Sequence, residues 1–297
     1  MTELLRLAGH ESQLAGALTV RRVLPAVAQR AVGPFVFFDH FGPVPLPPQA
    51  HTDVGGHPHI GLATVTYLLE GHMLHRDSLG HVQPISPGAI NWMTAGKGIV
   101  HSERAIEQER GKERRLHGLQ LWVALPPEQE QCEPSFQHVA QDQIPELTLE
   151  GGVSVRVLVG QAWGETSPVL VASPTLYLDV CLPPGTTWTL PPLADERAIY
   201  SPQDPLTVDD QAVPPREMVV LPSGQATQIK AGPSGARLVV VGGQALPQPV
   251  RMWWNFVSGD PARIEEAAQR WAAGGFDAIP GETDRIAAPP WRGMRPK

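Results

Sequence analysis

The sequence of 297 residues contains only two cysteines, Cys132 and Cys181, and they match no spacing that metal or redox centres use. We therefore expect two buried free thiols. A basic stripe is also missing, and the net charge of -7 argues against a nucleic-acid surface. No apolar run approaches the roughly 20 residues that cross a bilayer, and no basic segment with an apolar stretch opens the chain. These absences predict a cytoplasmic protein that binds neither nucleic acid nor a membrane.

Helical periodicity is almost missing, whereas 29 glycines and 32 prolines are spread along the whole length of the chain. Both residue types interrupt long helices and suit short strands joined by tight turns. The fold class predicted from this composition is all-β. The clearest strands are rich in β-branched residues and bounded by Gly, Pro or Asp: 63–71, 154–161, 175–182 and 236–243.

One short helix is predicted near the C-terminus, within DPARIEEAAQRWAAGG. Asp260 is a suitable N-cap, Pro261 suits the first helical position, and two glycines at 274–275 can end the helix. The helix is expected to pack against the rest of the protein, because one face carries four apolar residues: Ile264, Ala267, Ala268 and Trp271.

The length fits two domains of roughly 150 residues each. ISPGAINWMTAGKG (85–98) and PPREMVVLPSGQ (214–225) share a Pro-started turn, an apolar strand and a small-residue turn, which indicates a duplicated barrel unit. The polar stretch 126–146 separates the two strand-rich halves and is the predicted linker. We expect an N-terminal metal-binding domain over 1–140, and a C-terminal domain over 141–297 that includes the helix.

The candidate chemistry lies in the first half, in two pairs of polar residues with the same spacing. One residue separates His57 from His59, and one residue separates His101 from Glu103. Alternate residues of a strand project to the same side, so each pair presents two side chains together. If both strands face one barrel interior, three imidazoles and a carboxylate form a site for a divalent transition metal. Four ligands around a six-coordinate ion leave two open positions, which indicates a chemical site.

The remaining histidines form no second matched pair, and we interpret them as hydrogen-bonding or surface residues. A single His-x-His pair more often has a surface or hydrogen-bonding role than a role in metal binding. Two matched pairs, in contrast, favour metal binding. His75 is interpreted as a bystander, and its approach to the site from a neighbouring strand is the alternative.

The second half is predicted to hold no metal, because no histidine follows His138. An overlay of GKGIVHSE (96–103) on GQATQIKA (224–231) puts Ile229 and Ala231 at the positions of the second ligand pair. Apolar side chains at both positions predict a filled interior in place of a metal site.

Two long motifs resemble a known family. HPHIGLATVTYLLEGHMLHRDSLG (57–80), followed by INWMTAGKGIVHSE (90–103), resembles the pirin version of the two cupin motifs. GPFVFFDHFGP (33–43) and WNFVSGDPARIEEAAQRWAAGGF (254–276) also resemble pirin segments. The resemblance implies a bicupin, with two face-to-face β-barrels of the jelly-roll type. It also implies iron in the N-terminal barrel, held by the matching residues His57, His59, His101 and Glu103.

The resemblance implies a quercetin 2,3-dioxygenase-like activity, in which O₂ and a small planar phenolic substrate meet at the metal. Glu103, the acidic ligand, is then the candidate general base. Iron is the expected metal, and Ni, Mn, Co, Cu and Zn are the alternatives. A second interpretation is a non-catalytic, iron-dependent redox regulator that binds a protein partner, as other pirins do. A metal that only stabilises the barrel is the third.

Two positions depart from the family pattern. Many pirins carry a basic residue and then an acidic one after the paired histidines, as in HPHRGFET, where this chain has Ile60 and Ala63. Neither position holds a ligand in pirins, so metal binding is expected to persist, while the substrate preference is expected to shift. Both residues either line the entrance to the site or serve as ordinary strand packing.

Overall fold

The computed structural model describes residues 3–15, 18–291 and 293. Within these ranges the chain forms 26 β-strands, one α-helix and three short 3-10 helices. The all-β prediction with a short C-terminal helix is confirmed. The outer ends of the two expected domains, residues 1–2 and 294–297, lie outside the described residues.

The first 13 strands are β1 (Leu5–Leu7), β2 (His10–Ala15), β3 (Leu18–Leu24), β4 (Phe35–Leu46), β5 (Val54–His59), β6 (Leu62–Glu70), β7 (Met73–Asp77), β8 (Val82–Ile85), β9 (Ile90–Thr94), β10 (Ile99–Arg104), β11 (Arg114–Ala124), β12 (Ser135–Val139) and β13 (Glu146–Leu149). The other 13 are β14 (Val153–Val159), β15 (Gln161–Ala162), β16 (Glu165–Thr166), β17 (Thr175–Leu182), β18 (Thr187–Leu190), β19 (Glu196–Tyr200), β20 (Leu206–Val208), β21 (Gln211–Val213), β22 (Met218–Leu221), β23 (Thr227–Ala231), β24 (Ala236–Gly243), β25 (Arg251–Trp253) and β26 (Phe256–Ser258). The helices are α1 (Pro261–Ala272) and the 3-10 turns Glu107–Glu109, Gln141–Gln143 and Glu150–Gly152.

Apart from the two-stranded sheets β15-β16 and β25-β26, the strands assemble into two pairs of sheets with matching sizes. One seven-stranded sheet has the order β12-β9-β6-β11-β4-β3-β2, and a four-stranded sheet has the order β5-β10-β7-β8. The second pair has the orders β1-β22-β19-β24-β17-β14-β13 and β18-β23-β20-β21. A repeated pair of seven and four strands is the arrangement that a duplicated unit predicts. The four segments predicted as strands are confirmed as β6, β14, β17 and β24. The strand β17 has the predicted bounds, whereas β14 ends at Val159, two residues before its predicted end.

The chain divides into two compact units that interleave along the sequence. Unit 1 comprises Met1–Glu11, Arg21–His40 and Val139–Leu246, and unit 2 comprises Ser12–Val20, Phe41–His138 and Pro247–Lys297. The division expected at residue 140 remains a prediction. The helix α1 belongs to unit 2, where it packs on β25 and β26, and β26 contacts β5 and β6.

The helix α1 begins as its sequence predicts. The Asp260 side chain accepts a hydrogen bond of 2.9 Å from the backbone N–H of Ala262, and Pro261 is the first helical residue. The predicted apolar face is buried in a cluster that also contains Ile60 and Phe256. Packing of this face within unit 2 is therefore confirmed. Ile60 is one of the residues that this face contacts.

The stretch 126–146 is not an unstructured linker. It contains β12, which lies beside β9 in the seven-stranded sheet, and the buried residue Glu130. The Glu130 carboxylate accepts hydrogen bonds from Ser258, Gly259 and Arg263. The polar composition of this stretch favours a linker when it is taken alone. The partners that bury Glu130 lie far away in sequence, so the local composition does not indicate them.

The prediction that both thiols are buried is wrong. Both cysteines are free, but Cys181 is exposed and Cys132 is half-buried. Cys181 lies near the C-terminal end of β17, and its neighbours Val180 and Leu182, which project to the opposite face, are buried. No helix in the described part of the chain has the length and apolar character needed to span a membrane.

Candidate metal centre

Two neighbouring antiparallel strands, β5 and β10, carry all four predicted ligands. His57 and His59 alternate on β5, and His101 lies directly opposite His57 in the β5–β10 pair. The residue opposite His59 is Ile99, so His59 and His101 are diagonal neighbours. Gly61 has a positive φ of 68°, which lets the chain turn from β5 into β6 directly after the histidines.

The three histidines converge in the interior of unit 2. One ring nitrogen from each of His57, His59 and His101 lies within 4.8 Å of the other two, and all three residues are buried. The Nε2 atoms of His59 and His101 are 3.1 Å apart. Burial lowers the pKa of His57 to about 4 and holds the pKa values of His59 and His101 well below the usual histidine value. All three imidazoles are therefore neutral at pH 7, which is the form that binds metals.

The spacing of these nitrogens fits a transition-metal ion. Two imidazole nitrogens bound at a right angle, each about 2.1 Å from one ion, lie about 3.0 Å apart. The observed separation of 3.1 Å between the Nε2 atoms of His59 and His101 is close to that value. The remaining nitrogen of His57 is engaged, since its Nδ1 lies 2.9 Å from the backbone oxygen of Gly55. This contact orients the ring and directs Nε2 to the metal side.

The fourth predicted ligand, Glu103, is not part of this cluster. Its carboxylate oxygens do not lie within 4.8 Å of all three histidine nitrogens. The register of β5 and β10 shifts between His101 and Glu103, so that Glu103 lies opposite Val54. Two glycines, Gly55 and Gly56, therefore oppose a single residue of β10, which is a β-bulge. The bulge displaces β5 next to Glu103, and the sequence gives no local sign of it beyond the paired glycines.

Glu103 nevertheless lies on the same side of β10 as His101, because the two residues alternate along the strand. Its side chain is buried, and burial raises its pKa from 4.5 to about 7. The residue opposite Glu103 on β7 is His75. Glu103 therefore lies in the buried interior of unit 2, beside His75 of the neighbouring strand.

His75 approaches His101 from β7, which is the alternative to its interpretation as a bystander. Its Nδ1 lies 3.4 Å from Nδ1 of His101, and its Nε2 lies 2.9 Å from the Asp77 carboxylate. The imidazole stacks on Phe136 with ring centroids 4.3 Å apart. Asp77 is fully buried and also meets Nδ1 of His81 at 3.0 Å. The alternation of His75 and Asp77 repeats the spacing of the ligand pairs, and this signal could have identified them.

The two positions that depart from the family pattern serve as packing. Ile60 belongs to the apolar cluster beneath α1, and its backbone forms a bridge with Phe256. Ala63 is completely buried and lies between Val123 and Thr94 in the seven-stranded sheet. Ordinary strand packing, one of the two alternatives, therefore accounts for both residues.

The positions overlaid on the second ligand pair in the second half are apolar and buried. Ile229 and Ala231 alternate on β23 and belong to the main apolar core of unit 1. Among the described residues, the three histidines are the one group of potential ligands that lie this close together.

Comparison with known proteins identifies relatives along almost the entire chain. The family model described as Pirin matches residues 17–123, and the model described as Pirin C-terminal cupin domain matches residues 177–277. A pirin-like protein of Caulobacter vibrioides is 43% identical over 262 residues, which are 87% of this chain and 90% of that protein. Human pirin is 36% identical over 284 residues, which are 91% of this chain and 92% of that protein.

A solved structure shows the same fold. The crystal structure of a quercetin 2,3-dioxygenase from Acinetobacter baumannii has a TM-score of 0.89 and 33% sequence identity, and the match covers 99% of this chain and 97% of that one. The bicupin fold implied by the sequence motifs is confirmed. The chain belongs to the pirin family.

Proposed function

We propose that the protein is a mononuclear metal-dependent dioxygenase that acts on quercetin-like flavonols with O₂. The observation that carries the proposal is the convergence of three buried, neutral imidazoles, which suit iron and other divalent first-row metals. The similarity to the Acinetobacter baumannii quercetin 2,3-dioxygenase supports the substrate class. Iron is the proposed metal, and the proposed ligands are His57, His59, His101 and Glu103.

When bound, iron supplies Lewis-acid activation of a phenolic hydroxyl and the redox capacity that reaction with O₂ requires. The contribution of the chain is to hold the donors in place and to keep water away. His59 packs edge-on against Trp122 with ring centroids 5.2 Å apart, and both side chains are buried. The contact of His101 with His75 restricts the orientation of a ligand ring in the same way.

Glu103 is the proposed proton acceptor for the substrate hydroxyl. It lies on the same side of β10 as His101, in the buried interior of unit 2. A carboxyl group with a pKa of about 7 takes up and releases a proton near neutral pH, which is the range that general base catalysis requires. As a metal ligand, Glu103 would have to move closer to the three nitrogens.

The proposal is tested by metal analysis of protein purified without added metal, followed by O₂ uptake with quercetin. Glu103→Gln keeps the size and a donor oxygen but removes the base. We expect the O₂ uptake of this variant to fall by at least about 100-fold, the usual contribution of a general base. This loss should exceed any loss of bound metal. If the activity only follows the retained metal, Glu103 is a ligand and not the base.

The redox-regulator interpretation makes the opposite prediction for the wild-type protein. Metal-loaded protein that consumes no O₂ with quercetin or with another flavonol would contradict the dioxygenase proposal. The protein would then be an iron-dependent binding protein, and its function would lie in a protein partner. The cytoplasmic location remains a prediction in either case.

A further inference from the structure

The segment 276–286, which follows α1 and is called the strap below, lines the edge of β5. The backbone N–H of Ile286 donates to the Gly56 oxygen at 2.8 Å, and the Gly56 N–H donates to the Asp284 oxygen at 3.3 Å. Arg285 completes a parallel bridge with Gly56. Because β5 is the outermost strand of its four-stranded sheet, the strap pairs the free edge of the strand that carries His57 and His59.

Glu282 of the strap joins the next two strands. Its carboxylate, only 10% exposed, accepts a hydrogen bond of 2.9 Å from the Ser102 hydroxyl of β10 and another from the Arg104 guanidinium. Nε of Arg76 on β7 lies 3.2 Å from the same carboxylate. Nη2 of Arg76 donates a hydrogen bond of 2.8 Å to the backbone oxygen of Pro280.

These contacts lie on the reverse side of the strands that form the candidate metal centre. Ser102 separates His101 from Glu103, and Arg76 separates His75 from Asp77. Successive side chains of a strand point to opposite faces, so every residue that Glu282 holds is next in sequence to a residue of the site. A shift of either contact residue would move its neighbours on the inner face.

The strap is itself fixed to α1. The Arg285 guanidinium stacks on the Trp271 ring at 3.6 Å, and the Trp271 indole N–H donates to the Ile286 oxygen at 3.1 Å. Phe276 and Ile279 are buried in the apolar cluster that includes Val100 of β10. The strap therefore has a defined conformation from which it can hold the strands.

We propose that the strap is a positioning element of the metal centre and that Glu282 is its central positioning residue. This inference rests on the proposed metal centre. Glu282 sets the spacing of β7 and β10 from outside, while the backbone of the strap fixes β5. Loss of the Glu282 charge then widens the separation of the ligand nitrogens without removing any ligand.

The test measures the dissociation constant for Ni²⁺, an ion that imidazole ligands bind well, by competition with a chelator. The full chain is compared as wild type, Glu282→Gln and Glu130→Gln. Glu130 is a matched control because it is a buried carboxylate in the same unit whose hydrogen bonds go to Ser258, Gly259 and Arg263 and not to β5, β7 or β10. The unfolding midpoint of each metal-free variant is measured in parallel.

We expect Glu282→Gln to weaken Ni²⁺ binding about tenfold, the lower end for the loss of outer contacts that position metal ligands, and Glu130→Gln to leave it unchanged. Unchanged affinity in Glu282→Gln, with only a lower unfolding midpoint, would overturn the inference and leave the strap a purely structural element. Equal losses in both variants would also overturn it. If the wild-type chain binds no Ni²⁺, the metal centre itself is refuted together with the inference.

Arg76→Gln decides the same question if Glu282→Gln does not fold. The Arg76 side chain is 30% exposed, and its removal leaves the contacts of Glu282 with β10 in place. A smaller loss of Ni²⁺ affinity in a folded Arg76→Gln protein supports the inference, and wild-type affinity overturns it.

Discussion

Nδ1 of His75 lies 3.4 Å from Nδ1 of His101, so that a residue of β7 touches a proposed ligand on the neighbouring strand. The other nitrogen of His75 is held by Asp77, whose pKa lies below its usual value. Burial would raise that pKa, but hydrogen bonds from His75 and His81 outweigh the effect of burial. The ionised carboxylate thus fixes the His75 ring, which in turn limits the rotation of His101.

Replacement of His75 by Phe is expected to weaken metal binding about tenfold while the protein stays folded. The phenyl ring retains the stacking on Phe136, but the nitrogen that faces His101 is lost. His72→Phe is the control, because His72 binds Glu109 outside the site. The metal dissociation constants of both variants provide the measurement, and equal affinities would contradict the orienting role of His75.

Removal of a proposed ligand is expected to abolish metal binding without unfolding the chain. His57→Ala and His101→Ala each delete one of the three imidazole donors, whereas the apolar clusters of unit 2 consist of other residues. Metal content per chain should fall from one ion to nearly none, and circular dichroism should stay close to that of the wild type. His51→Ala, at an exposed position, should keep its metal.

The same measurement counts the ions in the wild-type protein. Ile229 and Ala231 fill the interior positions on β23, so we expect one transition-metal ion per chain. A second ion that persists in His57→Ala would contradict the prediction of a metal-free second half.

The metal-free protein is expected to lose stability as the pH falls from about 6.5 to about 4.5. His57, His59 and His101 have lowered pKa values when folded, so the unfolded chain binds about three more protons in this range. Glu103 has the opposite effect, since its raised pKa keeps a proton on the folded protein that the unfolded chain releases above about pH 4.5. Together these four groups give a net difference of about two protons, which corresponds to about 3 kcal/mol per pH unit.

Urea unfolding at several pH values, with a chelator present, measures this slope. In His101→Gln the slope should correspond to about one proton fewer taken up on unfolding, because only two histidines with lowered pKa values remain. A slope that is the same in both proteins would show that His101 is not held neutral by burial.

Glu130→Ala is expected to lower the free energy of unfolding by about 3 kcal/mol, near the lower end for a broken buried pair because Arg263 is partly exposed. The change leaves the Arg263 guanidinium and the Gly259 N–H without their acceptor. Glu128→Ala, an exposed neighbour, should change the free energy by less than about 0.5 kcal/mol. Urea unfolding measures both values, and a similar small loss in both variants would contradict the structural role of Glu130.

The sequence by itself determined the strands, the helix and the pairing of the candidate ligands. These features depend on local properties: alternation places His57 and His59 on one side, and the capping residues around Pro261 define where α1 begins. The same alternation placed Glu103 with His101, and the absence of histidine from the second half excluded an imidazole site there.

Only the tertiary structure decided what surrounds those residues. The bulge opposite Ser102 depends on how β5 pairs with β10, and so the distance of Glu103 from the nitrogens is not a property of either strand alone. The roles of His75 and Glu282 require the pairing of β7 with β10 and the return of the chain after α1, across 26 and 180 residues of sequence. Such contacts arise from the closure of sheets and the packing of distant segments, so a local pattern can mark a residue such as His75 but cannot show what it touches.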